Sequence, residues 1–131
     1  MTTAIENALK ARLATYALPK AWPNQGFDPT KAGNVPFIAC DLVKAATTDR
    51  TLAGESPEYV GRLIATVVVL SGTSTATANT HADAIAALFP MGLRIPAGDK
   101  TITITQPPHI REGIGDGSYW RVPVSIPFLA L

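Results

Sequence analysis

The chain has 131 residues, a length that favours one domain built around one hydrophobic core. A formal net charge of +1 excludes a protein that grips nucleic acid through a strongly basic surface, and 47% hydrophobic residues argue against general disorder. The single cysteine excludes an internal disulfide and a cysteine-rich zinc site. Without a signal-like leader or an apolar run near the ~18 residues of a membrane span, the sequence predicts a soluble protein that folds in a reducing cytoplasm.

An amphipathic helix is predicted over residues 3–17. Thr3 and Glu6 match a capping box, in which both side chains accept hydrogen bonds from backbone N–H groups at the helix start. Pro19 ends the pattern, because its ring cannot enter a continuing helix. The apolar face of this helix, with spacings of three and four residues, consists of Ile5, Leu9, Leu13 and Tyr16.

The next part of the chain predicts a loop, a strand and a second loop. Residues 19–36 are rich in proline and glycine and are expected to form a loop, with a short strand near Lys20–Trp22. Residues 37–44 are apolar and predict a strand. Residues 45–58 are polar and contain few large apolar groups, so we expect a long, mobile loop there.

Residues 59–70 form the strongest strand pattern of the chain. The second half is apolar on both faces, which predicts a position in the centre of a sheet. Residues 71–75 break the strand and supply the cap of a second helix, which Pro90 ends. The apolar face of that helix consists of Ala78, Ala82, Ile85 and Phe89.

The C-terminal part predicts two more strands and a loop. Residues 101–105 alternate in polarity and predict a half-exposed strand, whereas residues 107–118 are rich in glycine and proline and predict a long loop. Residues 119–129 predict the last strand. Pro123 and Pro127 fall on the same side of it and lack an N–H, so we expect this strand at the border of the sheet.

These elements predict an α+β fold for a single domain spanning residues 1–131. It would consist of a single mixed or antiparallel β-sheet of four to five strands with two α-helices packed on one face. One face of the last strand is expected to meet the helices in the core. The expected core anchors are Leu9, Leu13, Ile85, Phe89, Trp120, Val124 and Phe128.

Residues that carry chemistry are few and scattered. His81 and Asp83 lie two positions apart on a helix and point in different directions, and His109 lies in a loop, so we expect no metal site. Cys40 lies on the apolar face of a strand, where a free cysteine behaves as a small buried hydrophobe. We therefore assign no catalytic, cofactor-binding or metal-binding residues and expect a protein that is not an enzyme and needs no cofactor.

Three weaker patterns each have a structural explanation. Gly113–Gly117 superficially matches a dinucleotide fingerprint, but it precedes a strand and predicts a turn. Ser71–Thr75 is the best anion-binding candidate, with helix capping as the simpler interpretation. Asp41 fits a cross-strand ion pair with Arg62 or Arg121 better than a catalytic role.

A family resemblance adds what these residues do not show. Residues 115–128, GDGSYWRVPVSIPF, together with residues 82–90, ADAIAALFP, and the following Gly92–Arg94, resemble the tail-terminator-like proteins of tailed phages. The first helix followed by Ala21–Asn24 also fits that group. The resemblance covers residues 3–130 and rests on packing patterns, not on a catalytic signature.

The resemblance implies a structural virion protein that forms a hexameric ring at the head-proximal end of the tail. Such a ring ends polymerisation of the tail tube and joins the head connector. The implied partners are further copies of the chain, the tail tube protein and a head–tail connector or stopper protein. DNA would pass through the ring without specific binding, and assembly would take place in the cytoplasm of the host bacterium, with no membrane involved.

Contacts with these partners are expected from the two long polar loops, at Arg50, Leu52, Glu55, Glu58, His109, Arg111 and Glu112. Two alternatives remain open. One is another neck or head–tail joining protein, and the other is a small-ligand-binding domain that uses the start of the second helix. Ring-shaped particles would favour the terminator, and a monomer that binds a phosphorylated ligand would favour the ligand-binding domain.

Overall fold

The computed structural model describes residues 2–23, 26–27, 36–49, 57–72 and 75–131. Its strands form one eight-stranded sheet in the order β1-β2-β3-β8-β5-β4, and β6 and β7 also pair with β8. In chain order the elements are α1 (Thr2–Leu13), β1 (Lys20–Ala21), β2 (Phe37–Asp49), β3 (Pro57–Leu70), α2 (Thr75–Leu88), β4 (Arg94–Ala97), β5 (Lys100–Ile104), β6 (His109–Ile110), β7 (Ile114–Asp116) and β8 (Tyr119–Ala130).

The predicted fold class is wrong. The described chain is mostly sheet, and its eight strands curl into a half-barrel that holds the two helices, instead of a sheet of four to five strands. Three of the strands, β4, β6 and β7, have only four, two and three residues. Strands this short contain too few residues for an alternating pattern to be recognised in the sequence.

Strand β8 lies inside the sheet, and not at its border as the prolines predicted. β3 pairs along one side of it, while β7, β6 and β5 pair with successive parts of the other side. On that second side, Pro123 O accepts a bond from Arg111 N at 2.8 Å, and Pro127 O accepts one from Thr105 N at 3.3 Å. Neither proline can donate an N–H in return, so β6 and β5 each stop there and the side is divided among short strands.

Strands β2 and β3 form a long antiparallel pair that includes half of the residues of the expected loop. Their pairing continues to Asp49 opposite Pro57, so the prediction of a loop over residues 45–58 is wrong for both of its ends. Residues 50–56 lie outside the described part of the chain. The predicted loop over residues 107–118 is also wrong in part, because it contains β6 and β7.

Both predicted helices are present, with different bounds. α1 begins at Thr2 and ends at Leu13, earlier than predicted, whereas α2 begins at Thr75 and ends at Leu88, before Pro90. The two helices contact each other where Arg12 Nε donates to Leu88 O at 2.8 Å, which satisfies a carbonyl at the C-terminus of α2.

The inner face of the sheet and the two helices enclose one core. Alternate residues of β2, β3 and β8 point to this face, and both helices bury their apolar residues against it. The cluster includes Leu9, Leu13, Ala78, Ala82 and Ile85 from the helices, Phe89 just after α2, and Ile38, Leu63, Val67, Val122, Val124, Ile126 and Phe128 from the strands.

The two ends of the sheet differ in how they are protected. β1 pairs only with Ile38 and Ala39, so in the described part of the chain the rest of that side of β2 has no strand partner. At the opposite end, Ile104 N donates a hydrogen bond to Leu93 O, so the backbone groups of Leu93 face β5. Successive residues of a strand alternate in this direction, so the nitrogen of Pro96, three residues later, faces away from β5. A proline at this position removes a donor from the outer edge and makes further strand addition unfavourable.

Candidate partner-binding surface

Among the described residues, those that cover the outer face of the sheet lie at one end of it. There the ring of Phe27 packs on Phe37 at a centroid distance of 4.8 Å, and Phe37 meets Tyr119 edge to face at 6.5 Å. Val68 lies opposite Phe37 on the neighbouring strand and is fully buried. Away from this cluster, Val43 and Val60 are 37% and 39% exposed, which is unusual for β-branched residues in the middle of a sheet.

An open groove crosses the exposed part of this face; we call it the outer groove. It has a volume of about 440 Å³, and its floor is formed by strands β2, β3 and β8 together with the start of β7. Arg62 and Arg111 line it and also line the adjoining depression beside His109 and Gln106. The apolar residues of the outer groove are Val43, Ile64, Ile114 and Pro123.

The register of the strands explains why these residues meet. Arg62 lies opposite Val43 on β2 and opposite Pro127 on β8, so its side chain rises between two apolar neighbours. Arg111 directly follows β6 and is held beside Pro123 by its backbone hydrogen bond. The groove is therefore built on paired strands, which fix the spacing of the two arginine backbones.

The charges on this face are distributed unevenly. Arg121 is paired with Asp116, whose Oδ2 lies 2.8 Å from Arg121 Nε, so the expected pair with Asp41 is not formed by that arginine. Within the described residues, neither Arg62 nor Arg111 has a carboxylate partner, and no carboxylate lines the outer groove. Asp41 instead lines a shallow depression along the open side of β2.

The expected partner-contact residues lie in different places. His109, Arg111 and Glu112 are exposed at and just after β6, and Glu58 is half-buried near the start of β3. The remaining three, Arg50, Leu52 and Glu55, lie outside the described residues. Arg62 is not among the contact residues predicted from the sequence. The next residue, Leu63, is buried in the core, so alternation along β3 puts Arg62 on the outer face.

The expected core anchors lie on the inner face of the sheet and on the helices that pack there. All except Trp120 are buried. Trp120 is half-buried, and its ring packs so closely on Gly113 that a Cβ at that position would lie 2.3 Å from Trp120 Cζ2. Gly113 thus permits a close approach between the segment before β7 and the last strand.

The two motifs that suggested ligand binding have structural roles where the structure describes them. Gly117 has a φ of 60° and forms, with Ser118, the two-residue turn between β7 and β8. Gly113–Gly117 is therefore part of a hairpin and not a nucleotide-binding turn. In the other motif, Ser71–Thr75, residues 73–74 lie outside the described part, and α2 begins at Thr75.

The histidines are placed apart from each other. His81 is half-buried, and its Nδ1 lies 2.5 Å from the hydroxyl of Tyr16, which links α2 to the turn after α1. His109 lies on β6 on the outer face, opposite Ser125. Among the described residues, no group of three or more potential metal ligands comes together.

Cys40 lies in the core. It is 5% exposed, and burial raises the pKa of its thiol to about 12, an increase that nearby Lys20 and Lys10 only partly offset. A thiol that stays protonated at neutral pH is a poor nucleophile, because the thiolate is the reactive form. The residue therefore acts as a packing group of β2.

We expect the Cys40 thiol to be unreactive toward Ellman's reagent at pH 8 in the folded chain and to react fully in urea. The pKa of this thiol is higher in the folded chain than the ordinary value of 9.0. The protonated thiol therefore contributes fully to the free energy of unfolding below pH 9, and this contribution is lost as the pH rises toward about 12. Urea unfolding of wild type and Cys40→Ala across this range measures the loss. Equal reactivity before and after unfolding would contradict the buried position.

The comparisons with known proteins bear on the whole chain. A family model described as phage tail terminator protein matches residues 4–128. The chain belongs to the phage tail terminator family. This makes it a structural component of a phage tail, consistent with the open surface and with the fold built around a packed core.

A comparison with solved structures concerns the fold. One solved structure is similar to this terminator-family chain with a TM-score of 0.81 and 24% sequence identity, covering 100% of this chain and 96% of the other. No curated protein sequence matches. Within the described residues, neither helix has the length and apolar character needed to cross a membrane.

Proposed function

We propose that the chain, acting as a single domain, forms a hexameric ring at the head-proximal end of the tail tube. The ring stops tube polymerisation and then presents a docking surface for the head–tail connector or stopper protein. DNA passes through it without sequence-specific contacts. The family match over residues 4–128 is the observation that carries this proposal.

The shape of the sheet supports a ring of identical subunits. A head-to-tail ring needs two different surfaces on each subunit, one for each neighbour. The sheet has two unlike ends, with an open side of β2 at one and the Pro96-containing strand β4 at the other. The two ends therefore provide different surfaces, and the outer groove is a third one for a further partner.

Deleting the gene from its phage tests the role. We expect the deletion to yield tails of abnormal length that do not join heads, and a plasmid copy of the chain to restore infectious particles. Electron microscopy of purified particles measures tail length, and gold-labelled antibody locates the protein. The label should lie at the head-proximal end of the tail.

The same experiment can reject the proposal in two ways. Label along the whole length of the tube would identify a tube subunit instead of a terminator. Tails of normal length that lack heads would favour another neck or head–tail joining protein. The free chain can be studied in parallel by sedimentation, but the ring itself should be sought on assembled tails.

A further inference from the structure

We propose that the outer groove binds an acidic segment of a neighbouring virion protein, through Arg62 and Arg111. The segment would present two carboxylates beside aliphatic side chains. This inference rests on the proposed function, since it assigns one of the contacts that a terminator must make. No part of the family match itself points to this surface.

The unpaired guanidinium groups are the first argument. Arg121, on the same face, has its carboxylate partner within the chain, whereas Arg62 and Arg111 have none among the described residues. Both are exposed and line the same groove, to which the described residues contribute no carboxylate. A guanidinium group binds a carboxylate with two parallel hydrogen bonds, so two such groups in one groove match a pair of carboxylates.

The apolar floor is the second argument, and it favours a protein over a nucleic acid. Val43 and Ile114 line the groove with exposed side chains, and Ile64 on β3 and Pro123 on β8 line it with half-buried ones. Arginine beside aliphatic groups is typical of the centre of a protein interface. A phosphate backbone instead needs many cations on a polar surface, and among the described residues two arginines line this groove.

The chain's own surface argues against a second copy as the occupant. In the described part, Glu6 and Asp116 already have cationic partners, and Glu58 also has an interaction partner. Of the other carboxylates described as exposed, Asp41 lies on β2, Asp83 on α2, Asp99 in the turn between β4 and β5, and Glu112 just after β6. No two of these four exposed carboxylates lie on one element, which argues against a second copy as the occupant.

Binding to particles from the deletion phage tests the inference directly. Purified tails and filled heads, both treated with nuclease, are mixed with the purified chain and sedimented. We expect wild-type chain to sediment with one of them and Arg62→Glu/Arg111→Glu to bind at least about 100-fold more weakly, since losing one partner of a desolvated charge pair is costly. Thr77→Glu/Asn79→Glu, which adds two acidic side chains at exposed positions of α2, is the control and should bind like wild type.

Thermal unfolding and the salt dependence of binding distinguish a lost charge contact from a misfolded variant. The thermal unfolding of Arg62→Glu/Arg111→Glu should match that of Thr77→Glu/Asn79→Glu, because all four side chains are exposed. The milder Arg62→Gln/Arg111→Gln should weaken binding and also reduce its dependence on sodium chloride. A folded double variant that binds as tightly as wild type would overturn the inference.

Other occupants give different results. If the double variant binds the particles normally but no longer cross-links to other copies, the groove is a contact between subunits and the inference is wrong. If nuclease treatment abolishes wild-type binding, the groove holds phosphates and the inference is also wrong. Failure of the wild-type chain to restore infectious particles would instead reject the proposed function, which is thus tested separately.

Discussion

Replacing Phe128 with alanine is expected to lower the free energy of unfolding by about 3–5 kcal/mol. Phe128 is 3% exposed and lies on β8 between Gly61 of β3 and Ile104 of β5. Truncation would leave a cavity under the middle of the sheet, where paired strands on both sides limit relaxation. Urea unfolding followed by circular dichroism measures the change, provided that the slope of the transition is the same for both proteins.

A surface truncation provides the comparison for this variant. Ile114 is 59% exposed, and Ile114→Ala should change the free energy of unfolding by less than about 0.5 kcal/mol. If Phe128→Ala costs less than about 1 kcal/mol, the ring does not pack in the core as the structure indicates. Such a result would also question the other expected core anchors of β8, Trp120 and Val124.

Replacing Gly61 with alanine should destabilise the chain by about 1–3 kcal/mol. A Cβ at this position would lie 2.5 Å from the carbonyl oxygen of Val43 and 3.1 Å from Phe128 Cζ. Because the first of these atoms belongs to the backbone, β2 would have to move away from β3. The clash falls next to the irregularity in pairing between Lys44 and Ala46, where the two strands already deviate from regular register.

Gly115→Ala is the matched control, because it changes a strand glycine whose Cβ would meet only Trp120 Cε3, at 4.0 Å. Both substitutions restrict the unfolded backbone to a similar degree, so the difference between them isolates the clash. Equal midpoints of urea unfolding for the two variants would show that the carbonyl oxygen of Val43 leaves room for a Cβ at residue 61, which would contradict the prediction.

The helices and the longest strands could be predicted because each has a strong local pattern. α2 follows from its apolar spacing and from Pro90, and β3 follows from a run that is apolar on both faces over Val67–Val69. α1 ends earlier than its apolar pattern suggests, since Tyr16 lies beyond the helix and reaches His81 with its hydroxyl group. A residue can continue an apolar stripe without continuing the helix.

The sheet architecture could not be predicted because it depends on pairing between distant segments. Pro123 and Pro127 correctly indicate a side of β8 with missing donors, but only the structure shows that three short strands cover that side. Residues 45–49 are small and polar, a pattern that predicts a loop, yet they belong to β2, whose end pairs with the start of β3.

The candidate surface was only partly visible in the sequence. Arg111 was predicted as a contact residue because its segment is polar, whereas Arg62 was hidden in the strongest strand pattern. Alternation along β3 puts Arg62 on the outer face, but the sequence cannot show that the other described residues leave this part of the face uncovered. The structure shows this through the exposed side chains of Val43 and Val60.

The central position of β8 also affects how the chain folds as it is synthesised. β2 and β3 follow each other in the chain, so they can pair soon after synthesis. β8, which pairs with the other side of β3, comes after all the other strands described. At ~5–20 residues per second, the open side of β3 stays exposed for several seconds, a condition that favours aggregation and chaperone binding. Truncation before β8 would therefore remove the centre of the sheet, and the nascent subunit would depend on protection until that strand emerges from the ribosome.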